Sequence, residues 1–567
     1  MCVNQCPPMN KPFAFLLAIA LAVPAVAAPA KRYLVATKRP VRQAPLQLLR
    51  DGDEVIEHKV HRFESVAAFA ANLTDDEAAE LRKSAEVRSI TEVVERHLLD
   101  IAHGAKLASD ASHYDAVQTI PYGIDLVRAR EVWPVTRGGG GLINIAVLDT
   151  GFDRHHPDLF ANYAGGYNTL TKSDDPSDDN FHGTHVAGTI GARDNGFGVV
   201  GVAPEAYIWS LKVLDRNGSG TDESVITAVD WVIAKKKEVG GQWVMSLSLG
   251  SNQRSIIEEA AFDRAADAGI LTFAASGNDG TNTLGFPAGY SSVASVGAVD
   301  SKSARASFST TGPTLTFVAP GVSVLSTIPD GALDSTSLTV ASRDVAAWPL
   351  IGSGHDEIVG PFVDCGFGTT TQFPASVRGN IALIKRGNGM TFAEKTKNAT
   401  AAGARGVIIY NDDDVAKNDL DRLTLLRTVC DPVCHAVPED AAYPWPMVIA
   451  ISNAEGERLR ALPFGTAVDA AHTFEQYGYL DGTSMSTPHA SGVAALIWAV
   501  APTASAAEVL SAMKATAIDL GPKGYDSQYG NGLVNALDAA KKLNPAAFSN
   551  GGMPVTPPPA RRRGVTH

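Results

Sequence analysis

From Pro121 to about Asp300, short apolar runs alternate with stretches of helical period, an order that few architectures accommodate. The runs are LINIAVLD, YIWSLKVL, WVMSLSLG, ILTFAAS and VASVGAVD. Between them lie a helix after His182, one through ITAVDWVIAKKK and one through IEEAAFDRAADAG. Strands separated by helices of roughly ten to fifteen residues build parallel βαβ units, so this region is a layered α/β fold. In such sheets the side chains that do chemistry collect outside the carboxyl ends of the strands.

The chain has 567 residues, too many for one core, and about three or four units are expected. Hydrophobic content of 45% and charged content of 19% are those of an ordinary globular protein. A net charge of -13 excludes a polyanionic partner, because phosphate backbones are bound by clustered cations; nucleic acid is not expected. The basic run Arg561 to Arg563 sits in a Pro-rich terminal stretch and reads as a solvated end.

Near the start, the apolar run Phe13 to Ala28 follows Lys11 and finishes in AVPAVAA, the pattern of an export signal. It is shorter than the ~20 residues that cross a bilayer, so no membrane anchor is expected once the signal is removed, and a secreted product is. Met9 is an alternative start that would omit Cys2 and Cys6. The remaining Cys365, Cys430 and Cys434 lie in one segment of an exported chain, and a bridge from Cys365 to Cys430 or Cys434 is expected. Zinc on Cys430, Cys434 and His435 lacks a fourth ligand at a recognisable spacing.

Residues 31 to about 105 alternate KRYLVAT, HKVHRF, a helix and VRSITEVV, a small α+β pattern. Its helix start is explicit: Thr74 followed three residues later by Glu77 is a capping box. Residues 102 to 116 lack apolar periodicity and read as a connector, and the stretch after about Asn544 as a flexible tail.

Three residues carry the chemistry. Asp149 ends the run LINIAVLD and is followed by Thr150 and Gly151, which places a carboxylate at a strand end. His182 opens HGTHVAGTI and Ser484 lies at the start of the helix in GTSMSTPHASGVAALIWAV, with Pro488 tolerated early in that helix. A serine hydroxyl needs a neighbouring base, and the base needs a third group to fix its tautomer and stabilise its charge. Asn278, in AASGND, is placed to offer its amide to a developing oxyanion together with the Ser484 N–H. His185, His155, His156 and His489 read as packing or loop residues, and Asp153 and Asp481 as turn formers. A lipase-like serine enzyme would need a G-x-S-x-G turn, whereas Ser484 follows Gly482 and Thr483 and precedes Met485. A non-catalytic peptide binder would have no need of all four groups.

The blocks VLDTGFD, HGTHVAGT, AASGND and GTSMSTPHASG, in that order, resemble the signatures of the subtilisin-like serine peptidases. The resemblance implies a three-layer fold with a mainly parallel sheet and hydrolysis of internal peptide bonds through an acyl-enzyme. Protein or peptide substrates would lie beside Ser248, Leu249, Gly250, Ala275, Ser276 and Gly277, in a cleft expected to admit a large apolar side chain. It also implies a structural Ca²⁺ held by Gln118, Asp158 and Asn195 with the carbonyls of Arg193, Phe197 and Val199, oxygen donors suited to a hard cation. The amino-terminal unit resembles the family's inhibitory prosegment, an intramolecular partner removed by self-cutting between about Ala105 and Gln118. The mature form is expected to be a monomer.

About 300 residues separate His182 from Ser484 where roughly 160 are usual, and the surplus begins after about Gly331. Within it VRGNIALIKRGNGMTFAEKTKNATAAGARGVIIYND resembles the protease-associated domain, though Asn388, Gly389 and Met390 stand where a cysteine is common. The resulting division is 1–30 signal, 31–115 prosegment and connector, 116–331 and 475–545 the two parts of the peptidase, 332–474 the insert, and 546–567 the tail.

Overall fold

The computed structural model describes residues 30–39, 60–99, 106–107, 118–136, 143–329, 333–350, 352–412, 423–425, 428–430, 434–436, 443–463 and 465–549. The expected export signal, most of the connector and most of the tail lie outside them. The chain divides into two units, Met1–Arg62 with Ala68–Glu92, and Phe63–Ala67 with Val93–His567.

The smaller unit is an antiparallel sheet in the order His61–Arg62, Ala68–Leu73, Lys31–Thr37, Val87–Glu92, with helix Asp75–Leu81. The helix begins where the capping box requires: Glu77 N–H donates to Thr74 Oγ1 and Thr74 N–H to the Glu77 carboxylate. Val35, Phe69, Leu73, Ala78 and Leu81 form its core.

The larger unit is built on seven parallel strands, ordered Phe317–Pro320, Ala294–Val299, Ile270–Ala275, Gln242–Leu247, Ile143–Asp149, Tyr207–Lys212, Tyr163–Asn168. Every residue of Ile143–Asp149 is buried because the sheet is covered on both faces. Ile145, Val147, Val244, Phe273 and Val296 point toward helices His182–Gly191 and Thr483–Val500. On the other side Trp209 stacks on Trp243 and meets Trp231 of helix Asp222–Val239, which packs on helix Ile256–Asp267. Strands Tyr163–Asn168 and Phe317–Pro320 extend the sheet beyond the runs legible in sequence.

Helix Thr483–Val500 is buried on nearly all sides. Pro488 falls in its second turn, where it removes the donor that Ser484 O would receive. The Ser248 hydroxyl replaces that donor at 2.7 Å.

Strands Val324–Thr327 and Tyr477–Leu480 pair antiparallel, so the chain leaves and re-enters the peptidase layer at neighbouring points. Between them an eight-stranded mixed sheet runs from Leu333–Val340 to Ala467–Glu475, with helices Phe392–Ala401 and Asn453–Arg460 and an apolar core on each face. The bridge expected from Cys365 does not form. Its thiol is free and buried in the core that holds Val363 and Ile384, donates to Val363 O at 3.3 Å, and is pushed up to about 12 by burial and then by Asp364. Cys430 and Cys434 lie opposite each other in a separate two-stranded ladder.

Candidate active site

Asp149, His182 and Ser484 arrive from a strand end and two helix starts at the carboxyl edge of the central sheet. His182 Nδ1 donates to Asp149 Oδ1 at 2.8 Å, and the same oxygen accepts the Thr150 N–H at 2.7 Å. Both side chains are buried, at 0% and 1% exposure, so the pair sits where water screens it least. His182 Nε2 has no hydrogen-bond partner among the described residues. Ser484 Oγ instead donates to Ser248 O at a long 3.3 Å, the counterpart of the Ser248 bond to Ser484 O.

The positioning of His182 rests on a residue that the sequence reading passed over. Asp178 lies in the acid-rich run SDDPSDDN, which reads as a solvated loop. Its Oδ1 accepts from Thr150 Oγ1 at 2.8 Å, and its Oδ2 accepts from Thr184 N and Thr184 Oγ1 at 2.9 and 2.7 Å. The carboxylate thereby occupies the positive end of the histidine helix and ties it to the residue after Asp149. Thr150 Oγ1 also accepts the Gly183 N–H at 2.9 Å. Gly183 must stay a glycine, since a Cβ there would lie 2.3 Å from Gly151 O. Phe181, immediately before His182, takes φ 138, a strained value for a non-glycine residue of the kind found at functional sites.

Asn278 Oδ1 accepts from Thr483 N at 2.9 Å and Thr483 Oγ1 at 2.8 Å. These bonds fix which end of the amide is oxygen and turn its NH₂ group the other way, toward Gly482, where a Cβ would approach Nδ2 to 3.2 Å. His185 is wholly buried, with Nε2 between Val324 O and Gly478 O; burial and the neighbouring His182 lower it to about 3. His489, buried with Nδ1 on Met485 O, is lowered to about 4 by burial. Both imidazoles are neutral at pH 7, each with a single ring N–H, in keeping with packing roles. His155 N–H donates to Asp153 Oδ1, so that acid forms a turn, whereas Asp481 Oδ1 accepts the distant Ser323 N–H and ties two segments together instead of shaping a local turn.

Of the six expected cleft residues, Gly250, Ala275, Ser276 and Gly277 line one pocket, together with Thr310, while Leu249 lies in a strand edge beside it and Ser248 is bonded to Ser484 O. A strand of the chain itself, Glu95–Leu98, occupies the cleft. It pairs antiparallel with Ser219–Thr221 on one side and with Leu249–Gly250 on the other, and Leu98 N–H donates to Gly218 O at 2.8 Å. The next residue, Leu99, enters the pocket beside Gly250.

The six residues expected to hold Ca²⁺ come together at the loop 193–199. Asp158 is buried; its Oδ1 accepts from Asn195 Nδ2 at 2.8 Å and its Oδ2 from Val199 N at 2.9 Å and Tyr477 OH at 3.0 Å. Gln118 Oε1 accepts the N–H groups of Asn195 and Gly196. Burial, outweighing those hydrogen bonds, raises the Asp158 carboxyl. Gly198, at φ +58, leaves no room for a Cβ, which would fall 2.1 Å from Tyr477 OH and 2.2 Å from Asp158 Oδ2. Among the described residues no group of three or more His, Cys, Asp or Glu is placed to hold a metal, so an ion here would depend on amide and carbonyl oxygens. The residues fit that demand: one buried carboxylate, two side-chain amides that can rotate to present oxygen, and a tight loop of carbonyls.

Residues 140–347 and 449–532 match the model of the subtilase family, and residues 358–459 that of the PA domain. Subtilisin E of Bacillus subtilis (strain 168) is 37% identical over 334 residues, 57% of this chain and 81% of its own. The thermostable alkaline protease of Halalkalibacterium halodurans is 40% identical over 268 residues, 47% of this chain and 67% of its own. Among solved structures, the psychrophilic subtilisin-like protease Apa1 of the Antarctic Pseudoalteromonas sp. AS-11 is 31% identical, covers 76% of this chain and 99% of its own, and superposes with a TM-score of 0.49. With the family matched across more than half of its residues, this chain belongs to the subtilases: it is a subtilisin-like serine peptidase whose second catalytic segment follows an inserted PA domain.

Proposed function

We propose that the protein is a secreted endopeptidase made as a self-cutting zymogen, in which Ser484 is the nucleophile, His182 the base, Asp149 its orienting carboxylate and Asn278 an oxyanion donor. The observation that carries this reading is the strand Glu95–Leu98, which lies in the cleft as a substrate would and delivers Leu99 to the pocket between Gly250 and Gly277. Main-chain pairing of this kind binds many sequences and leaves selection to pockets. The carbonyl attacked is then that of Leu99, and the bond cut is Leu99–Asp100, upstream of the stretch from Ala105 to Gln118 that the sequence suggested.

In the reaction the Ser484 hydroxyl rotates from its long bond with Ser248 O toward His182 Nε2 and attacks the carbonyl carbon as its proton passes to that nitrogen. The oxyanion is met by the Asn278 amide and the Ser484 N–H. His182 returns the proton to the departing amine, and a water activated in the same way releases the acyl group. The Asp149 carboxylate stabilises the transient imidazolium. Export is supported by the leader pattern at Phe13 to Ala28, and among the described residues no helix is long and apolar enough to cross a membrane. Intact-mass analysis of the fragment released during maturation is expected to give a carboxyl terminus at Leu99. A fragment ending beyond Ala105 would overturn this assignment of the cut.

We further propose a structural Ca²⁺ on Asp158, Gln118 and Asn195 with the carbonyls of Arg193, Phe197 and Val199. When bound, the ion would neutralise the buried Asp158 and cross-link the loop to residue 118. A chelator is expected to lower the melting temperature by several degrees, and Asp158→Asn to abolish that sensitivity. A melting temperature indifferent to chelator and to added calcium would remove the site.

A further inference from the structure

Arg96 is the side chain of the cleft strand held most completely: it is fully buried, as is its partner Glu258. Its Nε and Nη2 donate to Glu258 Oε1 and Oε2 at 3.0 and 2.7 Å, and Nη1 donates to Ser251 Oγ at 2.7 Å and Glu95 O at 3.0 Å. Glu258 Oε2 also accepts from Tyr290 OH at 2.7 Å. A second carboxylate, that of Asp222, is buried close by and accepts the Val94 N–H at 3.0 Å. Burial, with a smaller push from Glu258, raises it to about 6. Except for Arg96, Val94 and Glu95, these groups belong to the peptidase part of the chain and stay behind when a cut at Leu99 frees the strand. Both carboxylates occupy the first turn of a helix, Asp222–Val239 and Ile256–Asp267, whose N-terminal dipoles favour negative charge. The pocket therefore keeps both carboxyl groups with the arginine gone, and it has no cation of its own among the groups that bond to Arg96.

We propose that this pocket is a specificity subsite, through which the mature enzyme selects proteins carrying arginine three residues before the residue whose carbonyl Ser484 attacks. The inference rests on the reading that Leu99 fills the primary pocket, which fixes Arg96 at that distance. Arginine is favoured over lysine because the two oxygens of Glu258 and the Ser251 hydroxyl match the fork of a guanidinium, whereas an ammonium is a point charge that meets fewer of them. A neutral side chain leaves the buried Glu258 unpaired, the costly half of a broken ion pair.

The test is turnover of N-acetyl-Arg-His-Leu-Leu-p-nitroanilide by the active enzyme, against the same peptide with norleucine or lysine in place of arginine. The arginine peptide is expected to exceed the norleucine peptide in kcat/KM by at least about thirtyfold at low salt, with lysine between. Glu258→Gln is expected to bring the ratio near unity, by lowering kcat/KM for the arginine peptide and raising it for the norleucine peptide, which no longer leaves a buried carboxylate unpaired. The wild-type ratio decides the matter by itself if E258Q does not fold. Norleucine equal to or better than arginine would overturn the subsite. An enzyme labelled at Ser484 by a fluorophosphonate that cuts none of the peptides would also overturn it, through the register of the cleft strand. An enzyme that takes no label would overturn the proposed chemistry first, and the subsite with it.

Discussion

Ser484→Ala is expected to lower turnover of a peptide substrate by about a millionfold and to leave the precursor uncut. The effect is predicted to be chemical rather than structural. The hydroxyl makes one long bond, to Ser248 O, whereas the tie that stabilises this helix start joins Ser248 Oγ to the backbone carbonyl of residue 484, which alanine keeps. The residue is buried at 2% exposure, and removing one oxygen there creates only a small void. The variant should melt within a few degrees of the wild type while intact-mass analysis finds the bond after Leu99 unbroken. Some rate above that of water should persist, because the Asn278 amide and the substrate-pairing edges remain. The measurement is maturation and casein digestion by protein prepared without any other protease. Release of the amino-terminal fragment in that preparation would defeat the assignment of Ser484.

What sequence reveals here depends on whether a residue's role is set along the chain or across it. Asp149 is legible because a charged residue closing a largely apolar strand has few other reasons to be there, and Ser484 because a run of small residues announces a helix start packed against backbone. Strand Tyr163–Asn168 is not, since its two glycines and half-buried residues break the apolar pattern, and its place comes from pairing with Tyr207–Lys212. Asp178 is hidden among the three other acids of the run, Asp174, Asp175 and Asp179, and gains its function only when the loop folds over the histidine helix. The arginine pocket is the clearest case. Asp222 and Glu258 follow the capping residues Thr221 and Ser255 and look like ordinary first-turn acids. Nothing in the linear order shows that the two helix starts flank the same cavity, or that Arg96, 162 residues from Glu258, fills it.

Asp149→Asn is expected to lower kcat by about ten thousandfold, and the surroundings of Asp149 indicate which part of its role is lost. Oδ1 receives two donors, the Thr150 N–H and His182 Nδ1, so an asparagine would place its oxygen there and its NH₂ at the position of Oδ2. The imidazole would then keep its orientation and its tautomer, with Nε2 still open to take the serine proton. What disappears is the negative charge opposite the imidazolium formed during attack, at a buried position where that charge is poorly screened. The NH₂ would also be buried without an acceptor, since Oδ2 has no partner among the described residues, and stability should fall by about 1–3 kcal/mol. Peptide turnover and thermal unfolding of the same preparation separate the two effects. A rate within tenfold of wild type, alongside a normal fold, would mean that the Asp149 charge contributes little and that the acid's role is to hold the ring.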